Sequence, residues 1–208
     1  MGSQCTFCCS FCELNQEKRI SYNISVSMPE VNIWPDADFY FRLGLRNLLD
    51  ELSEHFLYDA NKKMSEYFFI NMNKNTIINF ISDDWLVAVG GRRLIILSDK
   101  ESEALANYWY LHSCVFAVVY TNEGVLAIKD KITLALNGKF LKRDLTKQSI
   151  TDKEMVVLQL SVRGITPKAI ARKENYSLKT AYAYRRRVEK KLSGRISYLF
   201  MVGSCAPY

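Results

Sequence analysis

The sequence predicts a mixed fold, in which a doubly wound parallel α/β sheet is followed by a small all-α domain. Between residues 31 and 142, short apolar runs alternate with segments whose apolar residues recur at helical spacing. That alternation is typical of a parallel sheet with helices on both faces. Between residues 149 and 208, helix-start signals follow one another instead. Residues 143–148 are short and polar, and we interpret them as the linker.

The predicted strands share an almost unbroken run of apolar residues, as strands buried on both faces do. They are Val31–Trp34, Tyr67–Ile70, Arg93–Leu97 and Val115–Tyr120. The predicted helices share apolar residues three and four positions apart, which give each helix one apolar face. They are Phe39–Leu52, Thr76–Phe80, Ser102–Leu111 and Val125–Asn137, with Gly138 as the cap of the last one.

Three helix starts follow in the C-terminal third. The segment from Thr151 to Glu154 fits a capping box, in which the two side chains satisfy each other's backbone amides. Thr166 followed by Pro167 is a hydroxyl cap with proline at the first helical position. Ser177 caps a third helix, which we expect to extend to about Leu192. Two helices joined by a short turn, the second rich in Lys and Arg, are typical of a helix pair that reads DNA.

The net charge of +6 hides an uneven distribution along the chain. Residues 142–208 contain 15 Lys and Arg against 5 Asp and Glu, whereas residues 1–141 contain 13 against 17. A basic C-terminal third on a mildly acidic remainder predicts a polyanionic partner for that third alone.

Helical geometry divides the last predicted helix into two stripes, with Ala181, Val188 and Leu192 facing the core. Residues near the start of such a helix reach base edges, so the base contacts that we expect are Tyr182, Ala183 and Arg186. Lys190 lies on the same exposed stripe as Arg186. Other residues are better placed to contact phosphates. The phosphate set is Lys168, Lys179, Thr180, Tyr184, Arg185 and Arg187. The alternative is that these charges form only a solvated face.

The C-terminal segment resembles the LuxR/FixJ type of helix-turn-helix module. The residues that carry the resemblance fall in its order and spacing: Ile150–Glu154, Val157-Leu158, Gly164, Ile170-Ala171, Ser177-x-Lys179-Thr180 and Lys191-Leu192. The resemblance implies a four-helix domain that binds duplex DNA, with base contacts at the positions given above. Ala181 and Tyr184 depart from the family, which often has a β-branched residue and a histidine there, so the base contacts differ in detail.

The preceding domain resembles the receiver domain of the same regulators. A working receiver needs acidic metal ligands, an aspartate that accepts the phosphoryl group, a hydroxyl and a lysine. The matching positions here hold Asp36 and Asp38, Asn71 or Asn73, Ser98, and Tyr120. An amide cannot form the acyl phosphate, so the resemblance implies a degenerate receiver that aspartyl phosphorylation does not control. Asp36 and Asp38 are then expected to cap a helix or to lie on the surface.

The whole chain, and Ser102–Tyr110 in particular, resembles regulators of the common pilus operon of the EcpR (also MatA) type. That resemblance implies an activator of a fimbrial operon that includes its own gene, with a role in biofilm. The implied partners are promoter DNA, RNA polymerase, and a second copy or a related regulator that completes a dimer. Phe39–Phe41 and Tyr108–Tyr110 are candidates for the dimer contact, and burial in the core is the alternative for both.

Four cysteines crowd the N-terminus, at Cys5, Cys8, Cys9 and Cys12. Thiolates at this spacing are able to hold zinc or an iron–sulfur cluster. The alternative is that residues 1–30 form a disordered tail with incidental thiols, or that Met28 is the true start. We expect no cofactor. The alternative function is a sensor, in which a ligand of the N-terminal domain or a metal on these cysteines gates DNA binding.

The sequence argues against a membrane protein and against an enzyme. No apolar run approaches the roughly 20 residues that a spanning helix needs, and the N-terminus lacks the features of a signal peptide. We therefore expect a cytoplasmic protein. His55 and His112 are the only histidines, and their neighbours do not suggest a nucleophile and base.

Overall fold

A computed structural model describes residues 31–55, 66–139 and 148–198. Within these residues, parallel strands form one sheet in the order β1-β2-β3-β4. The strands are β1 (Ile33–Trp34), β2 (Tyr67–Met72), β3 (Arg93–Ser98) and β4 (Val115–Tyr120). Each lies where the sequence predicts a strand, because an apolar run of this kind is stable only when both of its faces are covered.

The helices of the sheet-bearing part connect or follow these strands. They are α1 (Phe39–His55), α2 (Asp84–Val89), α3 (Glu103–His112) and α4 (Val125–Leu136). The short helix expected over Thr76–Phe80 is present as a single 3-10 turn, Ile77–Phe80, with Thr76 at its N-cap. Helix α2 was not predicted, although Asp84 in its first turn and Gly90 at its end, with φ of +60°, are recognisable signals.

Helices cover both faces of the sheet, so the predicted doubly wound fold is confirmed. Alternate residues of a strand point to opposite faces. On one face Phe69 of β2 and Ile95 of β3 pack with apolar residues of α1 and α4. On the other face Ile70 and Ile96 pack with α2, α3 and the 3-10 turn.

The C-terminal part is helical, as predicted. Its helices are α5 (Asp152–Val162), α6 (Pro167–Lys173) and α7 (Leu178–Lys191), and the chain is helical again from Ile196 to Tyr198. All three predicted caps are present. The Thr151 capping box is complete, Thr166 Oγ1 accepts from the Ala169 amide, and Ser177 Oγ accepts from the Thr180 amide.

The two parts share one apolar cluster. Ile150, Met155 and Leu158 pack in the same cluster as Leu105 and Trp109 of the sheet-bearing part. Hydrogen bonds join the parts as well, among them those from the Ile150 amide to the Ala104 carbonyl at 3.1 Å and from Gln159 Nε2 to the Ile81 carbonyl at 2.9 Å. The proposed division into domains 31–142 and 149–208 stays a prediction, and residues 1–30 and 143–147 lie outside the described residues.

The described ranges contain neither a membrane-spanning helix nor a cluster of metal-ligating side chains. Among their helices, none is long and apolar enough to cross a membrane. No group of three or more His, Cys, Asp or Glu side chains in those ranges is placed to hold a metal ion. The four N-terminal cysteines lie outside the described residues.

Candidate nucleic-acid interface

The buried stripe of α7 anchors this helix to its neighbours. Ala181 and Val188 are almost fully buried, and Leu192 at the end of the helix is 6% exposed. Because this apolar stripe is buried, the charged residues on the opposite side of α7 face outward. The predicted core stripe is therefore confirmed.

The outward stripe of α7 combines positive charge with one aromatic ring. The stripe consists of Lys179, Tyr182, Arg186 and Lys190, at three- and four-residue spacing. All four are exposed, so the sheet-bearing part does not cover them. Tyr182 keeps 50% of its surface exposed. These side chains form a continuous strip along the helix, since residues at this spacing are neighbours on a helix surface.

The start of α7 is held by two hydroxyl groups. Ser177 Oγ accepts a hydrogen bond from the Thr180 amide at 3.0 Å, and it lies 2.8 Å from Thr180 Oγ1. The Thr180 hydroxyl therefore supports the cap in addition to its predicted role at a phosphate. Lys168 is exposed in the first turn of α6.

Tyr184 packs within the domain more than it faces solvent. Its ring lies 5.5 Å from the ring of Tyr176, between centroids, and both rings pack against the apolar cluster of α5 and α6. The guanidinium of Arg187 lies 5.7 Å above the ring of Tyr184, close enough for a cation–π contact. Tyr184 thus holds Arg187 beside the turn between α6 and α7.

Arg185 is compensated within its own helix. Its Nε lies 3.4 Å from Oε1 of Glu189, one turn further on. The same Glu189 oxygen accepts the Ile196 amide at 3.2 Å, which joins α7 to the helical residues after it. Because Glu189 partly neutralises Arg185, this arginine adds less to the positive strip than Arg186 does.

Lys191, the last residue of α7, is bound within the domain, and its side chain is 18% exposed. Its Nζ lies 2.6 Å from Oε2 of Glu154 and 2.7 Å from the Ser149 carbonyl oxygen. The Glu154 side chain is 4% exposed. Burial alone raises the pKa of Glu154, but hydrogen bonds from Lys191 and Thr151 outweigh it, so this pKa lies below its ordinary value. The sequence signal available for this pair is Glu154 itself, because it is the acid that completes the capping box at the start of α5.

The sheet edge that would carry a phosphoryl group is occupied by amides. Asn71 is 2% exposed at the end of β2, and its Oδ1 accepts from Asn73 Nδ2 at 2.9 Å. Asn73 Oδ1 in turn accepts the backbone amides of Asn75 and Thr76. The two candidate acceptor positions therefore hold each other and the following loop.

The other receiver positions have structural contacts too. Asp38 Oδ1 accepts the Phe41 amide at 3.0 Å and Asp36 pairs with Arg42, as expected for capping and surface acids. Ser98 is fully buried, and its Oγ donates to the Asp99 carbonyl at 3.0 Å. Tyr120, at the lysine position, is 4% exposed and bonds to Asn107.

The two aromatic segments differ in exposure. Trp109 is 5% exposed and donates from Nε1 to the Phe80 carbonyl at 2.8 Å, so burial in the core, the alternative to a dimer contact, holds for this residue. The large indole is needed to fill the space between α3 and the 3-10 turn. Phe39 and Tyr40 are 68% and 83% exposed, and they remain candidates for a contact.

Solved structures of response regulators are similar to this chain over most of their length. The RcsB–DNA complex is 17% identical and covers 86% of this chain and 100% of its own, with a TM-score of 0.42. RcsB from Salmonella enterica serovar Typhimurium, bound to promoter rprA in the presence of phosphomimetic BeF3⁻, is 18% identical. It covers 80% of this chain and 94% of its own, with a TM-score of 0.38. ChrA, the response regulator of a heme-sensing two-component system, is 16% identical and covers 85% of this chain and 97% of its own, with a TM-score of 0.34.

A family model gives the more specific match. The model of the EcpR N-terminal domain matches residues 4–136, which include all of β1 to β4 and α1 to α4. The match spans more than half of the chain and the whole of the described sheet. The chain therefore belongs to the EcpR family.

Proposed function

We propose that this chain is a sequence-specific DNA-binding transcription regulator, in which α7 enters the major groove. The observation that carries the proposal is the exposed strip of Lys179, Tyr182, Arg186 and Lys190 opposite a buried apolar stripe. A helix anchored on one side and positively charged on the other is the form that a major-groove reader takes. The basic C-terminal third supplies the salt-sensitive attraction to phosphates.

The strip supports a division of roles along α7. Tyr182, Ala183 and Arg186 read bases, and Arg186 is suited to a bidentate contact with guanine. Exposed lysines and arginines fix the position of α7 on the DNA by binding phosphates. Thr180, Tyr184 and Arg185, which also have contacts within the domain, add to that role. The phosphate set is Lys168, Lys179, Thr180, Tyr184, Arg185 and Arg187, and Lys190 on the exposed stripe also contributes to DNA binding.

The proposed target is the promoter of a fimbrial operon that includes the regulator's own gene, where the protein acts as an activator with RNA polymerase. Membership in the EcpR family supports this target. A dimer, of two copies or with a related regulator, would read two half-sites one helical turn apart. Exposed apolar side chains of the sheet-bearing part, such as Phe39 and Tyr40, are available for the dimer contact.

A titration of the purified chain on the DNA upstream of its own gene tests the proposal. Scrambled DNA of the same length and composition is the control, and each titration is repeated at two salt concentrations. We expect selective binding that falls steeply with salt. Arg186→Ala is expected to weaken specific binding by about 1–3 kcal/mol and to reduce discrimination at one base position.

A charge-matched variant keeps the test specific. Arg46→Ala removes one exposed arginine from α1, in the sheet-bearing part, and should leave both affinity and discrimination unchanged. Circular dichroism establishes that both variants are folded. Equal weak binding to both DNAs, or equal losses in Arg186→Ala and Arg46→Ala, would contradict the proposed role of α7.

We also propose that aspartyl phosphorylation does not control this regulator. Asn71 and Asn73 support the proposal because a carboxamide has no oxygen able to form an acyl phosphate, and both amides are engaged in hydrogen bonds. Acetyl phosphate with Mg²⁺ should produce no phosphorylated species by intact mass and no change in DNA affinity. A mass increase of one phosphoryl group that Asn71→Ala removes would overturn this part.

A sensor in which a ligand of the sheet-bearing part gates DNA binding is the second candidate function. The observation that favours it is an open cleft at the end of β1 and β2, lined by residues of the two segments 35–40 and 73–79. DNA titrations with and without a ligand would distinguish this function from constitutive binding. An unchanged affinity at saturating ligand would exclude the sensor.

A further inference from the structure

A cleft of about 510 Å³ opens at the carboxyl end of β1 and β2. One wall is the segment after β1, from Pro35 to Tyr40, and the other is the segment after β2, from Asn73 to Asn79. Its volume lies within the range of about 300–1,000 Å³ typical of small-molecule sites.

The topology explains why the cleft lies there. The segment after β1 leads into α1 on one face of the sheet, whereas the segment after β2 leads into the 3-10 turn and α2 on the other face. The chain therefore leaves these two adjacent strands in opposite directions and opens a crevice between them. Ligands of doubly wound sheets bind in such crevices, outside the carboxyl ends of the strands.

The polar groups of the cleft divide into two sets. Asn73 and Thr76 bond to each other and shape the floor, where Thr76 Oγ1 donates to the Asn71 carbonyl and Asn73 Nδ2 donates to Asn71 Oδ1. Asn75, Asn79 and Tyr40 have exposed side chains along the walls. Each amide offers a donor beside an acceptor, which suits a ligand with the same pair on one edge.

Apolar and aromatic groups complete the lining. Phe39 and Tyr40 lie on one wall and Ile78 lies on the other. Rings in this setting stack on a flat ligand, and every nucleobase has a face that they accept.

The charges of the cleft disfavour an anion. Among its lining residues only Asp38 carries a formal charge, and that charge is negative. The nearby cations are compensated, since Arg42 pairs with Asp36 and Lys74 Nζ lies 3.4 Å from Glu101 Oε2. A phosphate group in the cleft would lie near the Asp38 carboxylate, and the cleft lining contains no lysine or arginine to offset that repulsion.

We propose that this cleft binds a nucleoside, an uncharged molecule with a flat base and adjacent donor and acceptor groups. The rings of Phe39 and Tyr40 lie at 77° to each other, so one ring stacks on the face of the base and the other meets its edge. The amides of Asn75 and Asn79 pair with the hydrogen-bonding edge of the base. Asp38 excludes the corresponding nucleotides by repulsion. The site needs neither phosphoryl chemistry nor DNA binding by α7, and a nucleoside bound there takes the place of a dimer contact through Phe39 and Tyr40.

The test is a calorimetric titration of the purified full chain with adenosine, guanosine, cytidine and uridine, and with each 5′-monophosphate. Tryptophan fluorescence is a second measurement, because Trp34 directly precedes Pro35 of the cleft and contacts Trp85. We expect saturable binding of at least one nucleoside with a Kd below about 1 mM. Its monophosphate should bind about tenfold more weakly, as repulsion by Asp38 requires.

Two variants and one control assign the binding to the cleft. Asn79→Ala removes an exposed wall amide and should weaken the nucleoside about tenfold. Asp38→Asn keeps a residue able to cap α1 and should bring the monophosphate close to the nucleoside in affinity. Asn122→Ala changes an exposed asparagine outside the cleft lining and should have no effect.

Three results would overturn the proposal. They are no saturable response to any of the four nucleosides, equal weakening in Asn79→Ala and Asn122→Ala, and a monophosphate that binds as tightly as its nucleoside. DNA affinity is measured separately on the same preparations. Loss of nucleoside binding with intact DNA binding would leave the proposed function standing.

Discussion

The hydroxyl of Tyr120 donates a hydrogen bond of 2.6 Å to Oδ1 of Asn107, between the end of β4 and the middle of α3. Asn107 is fully buried, and its Nδ2 donates to the Gln148 carbonyl at 2.9 Å. The residue at the lysine position of a receiver is thus connected, through one amide, to the segment that leads into α5. We call the set Tyr120, Asn107 and Gln148 the junction network.

The junction network predicts that Tyr120→Phe destabilises the protein by about 1–3 kcal/mol, because the buried Asn107 oxygen loses its donor. Urea unfolding followed by circular dichroism measures the change. Tyr182→Phe removes a hydroxyl from an exposed ring and should change stability by less than about 0.5 kcal/mol. Equal effects of the two variants would show that the Tyr120 hydrogen bond contributes nothing measurable.

The shared apolar cluster predicts that the described parts unfold together. Ile150→Ala, at a fully buried position that also bonds to Ala104, should cost about 2–5 kcal/mol. All three tryptophans lie in the sheet-bearing part, so their fluorescence reports on it, while hydrogen exchange of the α7 amides reports on the other part. We expect both signals to shift to the same lower urea midpoint. A shift confined to α7 would show that the parts unfold independently.

The ion pair of Glu154 and Lys191 predicts that the free energy of unfolding depends on pH. The pKa of Glu154 is lowered in the folded protein, so the pair stabilises above the unfolded pKa near 4.5 and loses its effect as the pH falls through the folded pKa. At pH 7, Glu154→Gln should cost about 3 kcal/mol, since it leaves Lys191 without its charged partner. Thermal unfolding of both proteins from pH 7 to pH 3 measures the difference, which should shrink below pH 4.5. A constant difference would contradict a lowered pKa.

Two tyrosines of α7 are predicted to act differently. Tyr182 is half exposed, so Tyr182→Ala should lower DNA affinity and change stability by less than about 0.5 kcal/mol. Tyr184 packs on Tyr176 and supports Arg187, so Tyr184→Ala should cost about 2 kcal/mol of stability. Unfolding and DNA titration of both variants separate the two roles. Similar losses of stability would contradict the assignment of Tyr182 to the exposed strip.

Much of the architecture was predictable because it depends on local chemistry. The three caps at Thr151, Thr166 and Ser177 follow from hydroxyl groups that satisfy nearby amides. The alternation of buried runs and helices predicted the sheet. Helix α2 was missed because it is short and its flanking signals, Asp84 and Gly90, are weak when taken singly.

Within the candidate site, the sequence determined which side of α7 faces the core, because the apolar positions Ala181 and Val188 recur with the period of a helix. It also determined the chemistry at the end of β2, since an asparagine is an amide in any fold. Only the tertiary structure decided that Lys191 faces Glu154 and that Tyr120 reaches Asn107. Those partners are 37 and 13 residues apart in the chain, and only burial in a common core brings them together and removes the competing water.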